Sequence, residues 1–261
     1  MTALKGAAVL VTGASSGIGA ATALAFARQG ARLALCARRL DRLHEVAQRC
    51  RAAGAAEVVV RKADVGRPAD ARAFVGVAMQ QFERVDVLVN NAGVGWRGRL
   101  QDMSEAEVVR LVATNLLGCV WTTQAALPAM LAAEAGVIVN VASTTAFRAN
   151  PYSAVYSATK HGLAGMSHAL RGELSGTGVK VAVVYPGTTA TEFFQGQAPG
   201  GLMTHSPEWV ARVIVRTARR PRRDVIVLPY RLAQLAEPLL GGPLDHVVGE
   251  ARRRQRPELR A

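Results

Sequence analysis

The chain has 261 residues, half of them hydrophobic and 20% charged, which suits one compact domain and excludes a disordered or fibrous chain. Three cysteines without close spacing, Cys36, Cys50 and Cys119, exclude a disulfide framework and a zinc knuckle and read as packing in a reducing, cytoplasmic compartment. The net charge of +13 invites a nucleic-acid reading, but residues 216–261 hold 11 arginines against five acids and the remaining excess is spread thinly, so the pattern is a basic tail on a mildly basic body, without zinc-finger spacing or an aromatic RNA-binding strand.

Only six residues precede the first apolar run, and no stretch approaches the roughly 18 apolar residues of a spanning helix, so neither a signal peptide nor a membrane span is predicted. Short Val-rich runs recur at 7–11, 32–36, 57–60, 86–89, 136–141, 180–184 and 224–228. They are continuous instead of alternating, as strands buried on both faces of a parallel sheet are. Between them, stretches at 17–29, 41–53, 68–82, 105–134, 154–175 and 207–219 carry helical apolar spacing. Strand, helix, strand throughout predicts a single doubly wound α/β Rossmann-type domain with a seven-stranded parallel sheet over 1–228. After Leu228 the alternation stops, and 229–261 is expected to form a short helix, a turn at Gly241-Gly242-Pro243 and a basic tail.

Immediately after the first strand comes TGASSGIG, Thr12 to Gly19, leading into an Ala-rich helix. Gly13, Gly17 and Gly19 permit a tight turn and a close approach of backbone amides to a pyrophosphate, and the helix N-terminus adds positive partial charge. The second strand ends Cys36-Ala37-Arg38-Arg39. Where a carboxylate would grip a ribose 2′-hydroxyl there are two guanidiniums suited to a 2′-phosphate, so NADP(H) is expected over NAD(H).

Tyr156 and Lys160 lie at i and i+4 on a predicted helix, one turn apart on one face. With 28 arginines against four lysines, a lysine here is a marked choice, and its ammonium is expected to draw the phenol toward neutrality as a general acid/base. Ser143 follows the fifth strand, at the sheet edge where ligands bind, with its hydroxyl available to a substrate carbonyl. Taken singly, each has an ordinary reading: a serine turn, a half-buried tyrosine, a surface lysine. His44, His161, His168, His205 and His246 show no metal spacing, and no metal is expected.

TGASSGIG at 12–19, NNAG at 90–93, Asn115, Ser143, YSATK at 156–160 and PGTTAT at 186–191 together resemble, in order and spacing, the motifs of the short-chain dehydrogenase/reductases over about residues 5–228. The resemblance implies NADP(H)-dependent interconversion of a carbonyl and an alcohol, with Tyr156 as proton donor, Ser143 orienting the carbonyl, Lys160 on the nicotinamide ribose and Asn115 supporting a relay water. It further implies a cofactor site of Gly13, Ser15, Ser16, Gly17, Ile18, Gly19, Arg38, Arg39, Asp64, Val65, Asn91, Ala92, Gly93, Pro186, Gly187, Thr189 and Thr191. Thr188 departs from the family's usual aliphatic residue two places after its proline.

Trp96, Phe147, Tyr152 and Phe193, with Phe194 and Met203, are candidate pocket residues, and their apolar character points to a lipophilic substrate. Phe193 and Phe194 could equally dock a loop on the core. A homodimer through the helices at 105–134 and 154–175 is expected by resemblance, with a tetramer as the alternative. For 229–261 three readings stand: a lid on the substrate cleft, a peripheral membrane contact, or a surface hairpin with a loose tail. The rival function on the same fold is a non-catalytic NADP(H) sensor, which needs the phosphate turn but not Ser143, Tyr156 and Lys160.

Overall fold

The structure, a computed structural model, describes residues 2–190, 193, 204–226 and 228–255. Seven strands, β1 (Ala8–Thr12), β2 (Arg32–Ala37), β3 (Glu57–Lys62), β4 (Val87–Asn90), β5 (Gly136–Val141), β6 (Val179–Tyr185) and β7 (Asp224–Ile226), form one parallel sheet in the order β3-β2-β1-β4-β5-β6-β7. Every strand-to-strand pairing is parallel, for example Val9 with Leu33 and Val9 with Val87. The chain leaves β1 in one direction, reaches β3, and returns to start β4 on the other side of β1. That reversal opens a crevice at the C-terminal ends of β1 and β4, where ligands bind in such sheets.

Helices α1 (Gly17–Ala27), α2 (Leu40–Ala52) and α7 (Pro207–Arg219) pack on one face, with Phe26, Leu43 and Ile214 wholly buried against Val9, Val11, Leu33 and Leu35. On the other face α3 (Pro68–Phe82) and the helix that follows β4 bury Phe74, Phe82 and Met130 against Leu10, Leu88 and Ile138. Both faces of the central strands are therefore apolar, which is why those strands read as unbroken Val and Leu.

The helix expected over 105–134 is divided. It begins as α4 (Glu105–Val112), capped by Ser104, whose Oγ accepts from the Glu107 N–H while the Glu107 carboxylate reaches back to the Ser104 N–H. It passes through one wide π-turn at Ala113–Leu117 and continues as α5 (Gly118–Ala132). α6 (Ala154–Glu173) follows β5. The prediction of a short helix and a turn at Gly241-Gly242-Pro243 is corrected: one helix, α8, runs Leu228–Gln255 through those residues. Each glycine costs about 1 kcal/mol and each proline one ladder bond plus a clash, but the Ala, Leu, Glu and Arg around them propagate the helix. Among the described residues no helix is long and apolar enough to cross a membrane.

Candidate active site

At the end of β1, Gly13 takes φ +67°, and a Cβ there would stand 2.8 Å from the Ala92 Cα. A Cβ on Gly19 would strike the Gly13 carbonyl oxygen. The turn is thus lined by backbone because side chains are excluded, and it delivers the open N-terminus of α1 to the crevice. Thr12 locks this turn to the next one. Its Oγ1 accepts from the N–H groups of Asn91 (3.0 Å) and Ala92 (2.9 Å), while Asn91 Nδ2 donates to the Thr12 carbonyl at 2.9 Å.

Beneath the two turns runs a buried polar ladder. Asn90 Nδ2 donates to Asn140 Oδ1 (2.9 Å) and to Thr123 Oγ1 (3.0 Å), Thr122 donates to Asn90 Oδ1, and Asn140 Nδ2 donates to Ser167 Oγ at 2.8 Å. A ladder with these amides satisfied ties β4, β5, α5 and α6 into one rigid floor. Asn140 and Ser167 were missed in the sequence, although an asparagine interrupting Val-rich GVIVNV was the signal for the first.

A cleft of 460 Å³ spans this floor. Gly13, Ser15, Ser16, Gly17, Ile18, Gly19, Arg38, Arg39, Asp64, Val65, Asn91, Ala92, Gly93, Pro186, Gly187 and Thr189 line it, together with Ser143, Tyr156 and Lys160. Thr191, Phe194 and Met203 lie outside the described residues. Arg39 Nη2 donates to Ser16 Oγ at 2.6 Å and to Ser15 Oγ at 3.4 Å, forming a cationic, hydroxyl-bearing corner beside the glycine turn. Arg38 is exposed on the same lip. Asp64 Oδ1 accepts from the Gly66 N–H at 3.1 Å, which holds its carboxylate at the cleft wall. Arg110 of α4 and Thr114 in the π-turn also line the cleft and were not singled out in the sequence. The cradle's shape and donors, a backbone-lined turn at a helix start with guanidiniums beside it, fit a dinucleotide carrying an additional phosphate.

Tyr156 and Lys160 are one turn apart on α6, 7% and 4% exposed. Burial pushes the Tyr156 phenol up to about 12, against the opposing pull of a hydrogen bond with Ser143 and the charge of Arg97. The expected drift of the phenol toward neutrality under Lys160 is therefore corrected for the chain alone, because desolvation outweighs every nearby charge. Lys160 Nζ donates to the Val141 carbonyl at 2.9 Å and sits 5.9 Å from the phenol ring centroid. Burial lowers this ammonium. Ser143 opens a short 3-10 turn, its Oγ accepting from the Thr145 N–H at 3.2 Å.

Asn115 stands behind this group, fully buried, in the π-turn. Its side chain is spent on structure: Oδ1 accepts from Val94 N–H (2.8 Å), and Nδ2 donates to the Val94 carbonyl (2.9 Å) and to Thr159 Oγ1 (3.3 Å). Any support it gives to a proton relay must come through the backbone that the π-turn reshapes.

The candidate pocket residues separate. Phe193 lines the cleft, edge-on to Tyr156 with centroids 5.6 Å apart. Trp96 belongs to the same apolar cluster as Tyr156, with Met103 and Leu111, but its ring lies over Gly98 and its Nε1 donates to Glu107 at 3.0 Å. Phe147 packs on Tyr185 at 5.9 Å, in the core cluster with Leu163. Tyr152 marks a strained corner, φ +66°, and its carbonyl accepts from the Gly98 N–H. The His205 backbone bonds Thr188 and Ala190 in the loop after β6. Those aromatic roles depend on loop paths that side-chain type does not encode.

A glycine cradle at the topological switch, opposite a half-buried serine and a buried tyrosine and lysine on one cleft, defines an α/β protein built for chemistry on a bound dinucleotide. The chain belongs to the short chain dehydrogenase family, whose model matches residues 7–200. It is 36% identical over 224 residues to the 11-beta-hydroxysteroid dehydrogenase-like 4A of Arabidopsis thaliana, covering 85% of this chain and 73% of that one. Among solved structures, it resembles a metagenomic short-chain oxidoreductase in complex with NADP at 34% identity and a TM-score of 0.76, over 87% of this chain and 98% of that one. It also resembles an alcohol dehydrogenase from the archaeon Thermococcus sibiricus complexed with 5-hydroxy-NADP, at 30% identity and a TM-score of 0.77, over 84% and 94%. The chain is accordingly an oxidoreductase of the CH–OH/C=O type.

Proposed function

We propose that the protein is an NADP(H)-dependent reductase and dehydrogenase of lipophilic carbonyls and alcohols, with Tyr156 as general acid/base. The observation that carries this reading is the meeting, in one cleft, of the Arg39–Ser16 corner, the glycine turn and the Ser143–Tyr156–Lys160 group. Two solved relatives with NADP or a hydroxylated NADP bound support the cofactor choice.

When bound, the cofactor supplies or accepts a hydride. The chain would do the rest. Arg38 and Arg39 would hold the 2′-phosphate, the start of α1 the pyrophosphate, and Asp64 and Val65 the adenine side. Lys160 would hold the nicotinamide ribose from the floor of the cleft. Ser143 Oγ would orient the carbonyl oxygen, and Tyr156 would deliver its phenolic proton to that oxygen as negative charge develops there. A phenol kept protonated by burial suits reduction, since the acid is present throughout the neutral range. The wall around it, Val94, Met103, Leu111, Val155 and Phe193, is apolar, and a relative named for its likeness to a steroid dehydrogenase agrees with a lipophilic substrate.

α8 acts as an extension on the substrate side, the lid reading. Tyr230 packs over Gly187 at the nicotinamide loop, and Asp245 pairs with Arg148, in the segment after Ser143, at 2.6 Å. A homodimer through α5 and α6 is the assembly we favour, although Ala126 of α5 is buried within the subunit.

The test is NADPH oxidation by the purified chain against a panel of lipophilic ketones and aldehydes beside small charged keto acids. Turnover confined to the apolar members is expected. Tight NADPH binding with no turnover on any carbonyl would favour the cofactor sensor instead.

A further inference from the structure

Behind β6, on the side away from the reacting groups, lies a second cavity of 250 Å³. It shares only Pro186 with the catalytic cleft. Its walls are apolar: Val184 of β6, Val225 and Ile226 of β7, and Trp209 and Val213 of α7. Arg216 of α7, Arg220 at its C-cap and Arg222 of the next loop also line it, and all three are exposed. Trp209, Val213 and Arg216 fall at i, i+4 and i+7, so one stripe of α7 passes from apolar to cationic over two turns.

Charges at a helix C-terminus ordinarily answer the helix dipole, and Arg216 and Arg219 do so. Arg222 lies beyond the helix, and that role does not explain it. Among the described residues, neither Arg216 nor Arg222 makes an ion pair. The nearby carboxylate on β7, Asp224, is already engaged by Tyr185 Oη (3.1 Å), His168 (3.1 Å) and Arg171 (3.7 Å). An apolar wall ending in the guanidiniums of Arg216 and Arg222 matches one ligand chemistry, an apolar tail with an anionic head.

We propose that this cavity binds a free single-chain fatty carboxylate, its tail against Val184, Val213 and Val225 and its head between Arg216 and Arg222. The site also has a link to the cofactor loop. Trp209 stacks on His205 with centroids 4.3 Å apart, and the His205 backbone bonds Thr188 and Ala190 on the nicotinamide side.

The test uses the full chain carrying Trp96→Phe and Trp121→Phe, which leaves Trp209 as the single indole, and brominated dodecanoate below its micellar range. Saturable quenching of Trp209, undiminished by saturating NADPH, is expected. Arg216→Glu with Arg222→Glu, or Val213→Phe to fill the cavity, should weaken binding at least about tenfold, as loss of charge-assisted bonds does. NADPH affinity should not change in either variant, which shows that the chain has folded. Brominated dodecanol, which lacks the anionic head, should bind at least about tenfold more weakly and needs no altered cavity. Equal binding of acid and alcohol, displacement by NADPH, or indifference to both cavity variants would each overturn the proposal. So would binding to phosphatidylglycerol vesicles without binding to monomeric dodecanoate, or a change of oligomeric mass in Val213→Phe with quenching intact, which would assign the surface to a membrane or to a second copy.

Discussion

The cofactor half and the substrate half of the cleft are built by different means. From β1 to β4 the site is backbone: Gly13 and Gly19 admit no side chain, Thr12 fastens one turn to the other, and the order β3-β2-β1-β4 brings them together. From Ser143 onward it is side chain: Tyr156 and Lys160 project from a helix, Phe193 arrives from a loop, and α8 leans in through Tyr230 and Asp245. A backbone site constrains sequence tightly, because one methyl group can occupy the ligand's place. A side-chain site tolerates many solutions, so the backbone-built half is the more tightly constrained of the two.

The contrast breaks most visibly at Tyr156. Tyr156→Phe should lower turnover by at least about a hundredfold, the scale of general acid catalysis, while NADPH affinity by fluorescence titration stays within a few-fold. A parallel collapse of NADPH binding would mean that the two halves are not separable.

Gly19→Ala should act in the opposite manner. Its added methyl meets the Gly13 carbonyl, a backbone atom that cannot swing aside, so overpacking of about 1–3 kcal/mol is expected in urea unfolding, with NADPH binding weakened alongside. Unchanged stability would show that the turn has slack.

Arg39→Ala should sharpen the reading of the cofactor corner. Losing a charge-assisted contact to a 2′-phosphate costs about 1.5–3 kcal/mol, so NADPH should weaken roughly ten- to a hundredfold and NADH hardly at all. Because Arg39 reaches Ser16 while Arg38 stays on the lip, Arg39→Ala should exceed Arg38→Ala. Equal loss for both nucleotides would remove the phosphate role.

The smallest effect belongs to the extension. Asp245 is largely exposed, and an exposed pair contributes about 0–1 kcal/mol, so Asp245→Ala should raise KM for bulky ketones by no more than a few-fold and leave NADPH binding alone. Steady-state kinetics on a small and a bulky ketone would separate a lid from simple packing, for which both values of KM stay put.

This division also explains what could be read in advance. The seven Val-rich runs match the seven strands closely, because the central strands, buried on both faces, are apolar at nearly every position, while the edge strands β3 and β7 are only partly buried. The glycine turn, NNAG and YSATK were equally legible, since each needs a particular residue type at a particular place. Trp96, Phe147 and Tyr152 were grouped as pocket residues by chemistry alone. The structure folds Trp96 over Gly98, sends Phe147 to Tyr185 and places Tyr152 at a left-handed corner. Local composition states that an aromatic ring will be buried, whereas the path of a long loop decides against what. The π-turn at Ala113–Leu117 has no compositional mark, and α8 passes through Pro238, Gly241, Gly242 and Pro243, which ordinarily stop a helix.

The Thr12 hydroxyl carries one further consequence, for the rate at which the cofactor binds. Because it accepts two backbone amides and so joins the β1 and β4 turns, the cradle has its final shape before any nucleotide arrives. Association would then proceed as one encounter step, with an observed rate linear in nucleotide concentration and no slow isomerisation afterwards. Differences between NADPH and NADH would show chiefly in how long each stays, a residence time set at the Arg39 corner instead of at the turn.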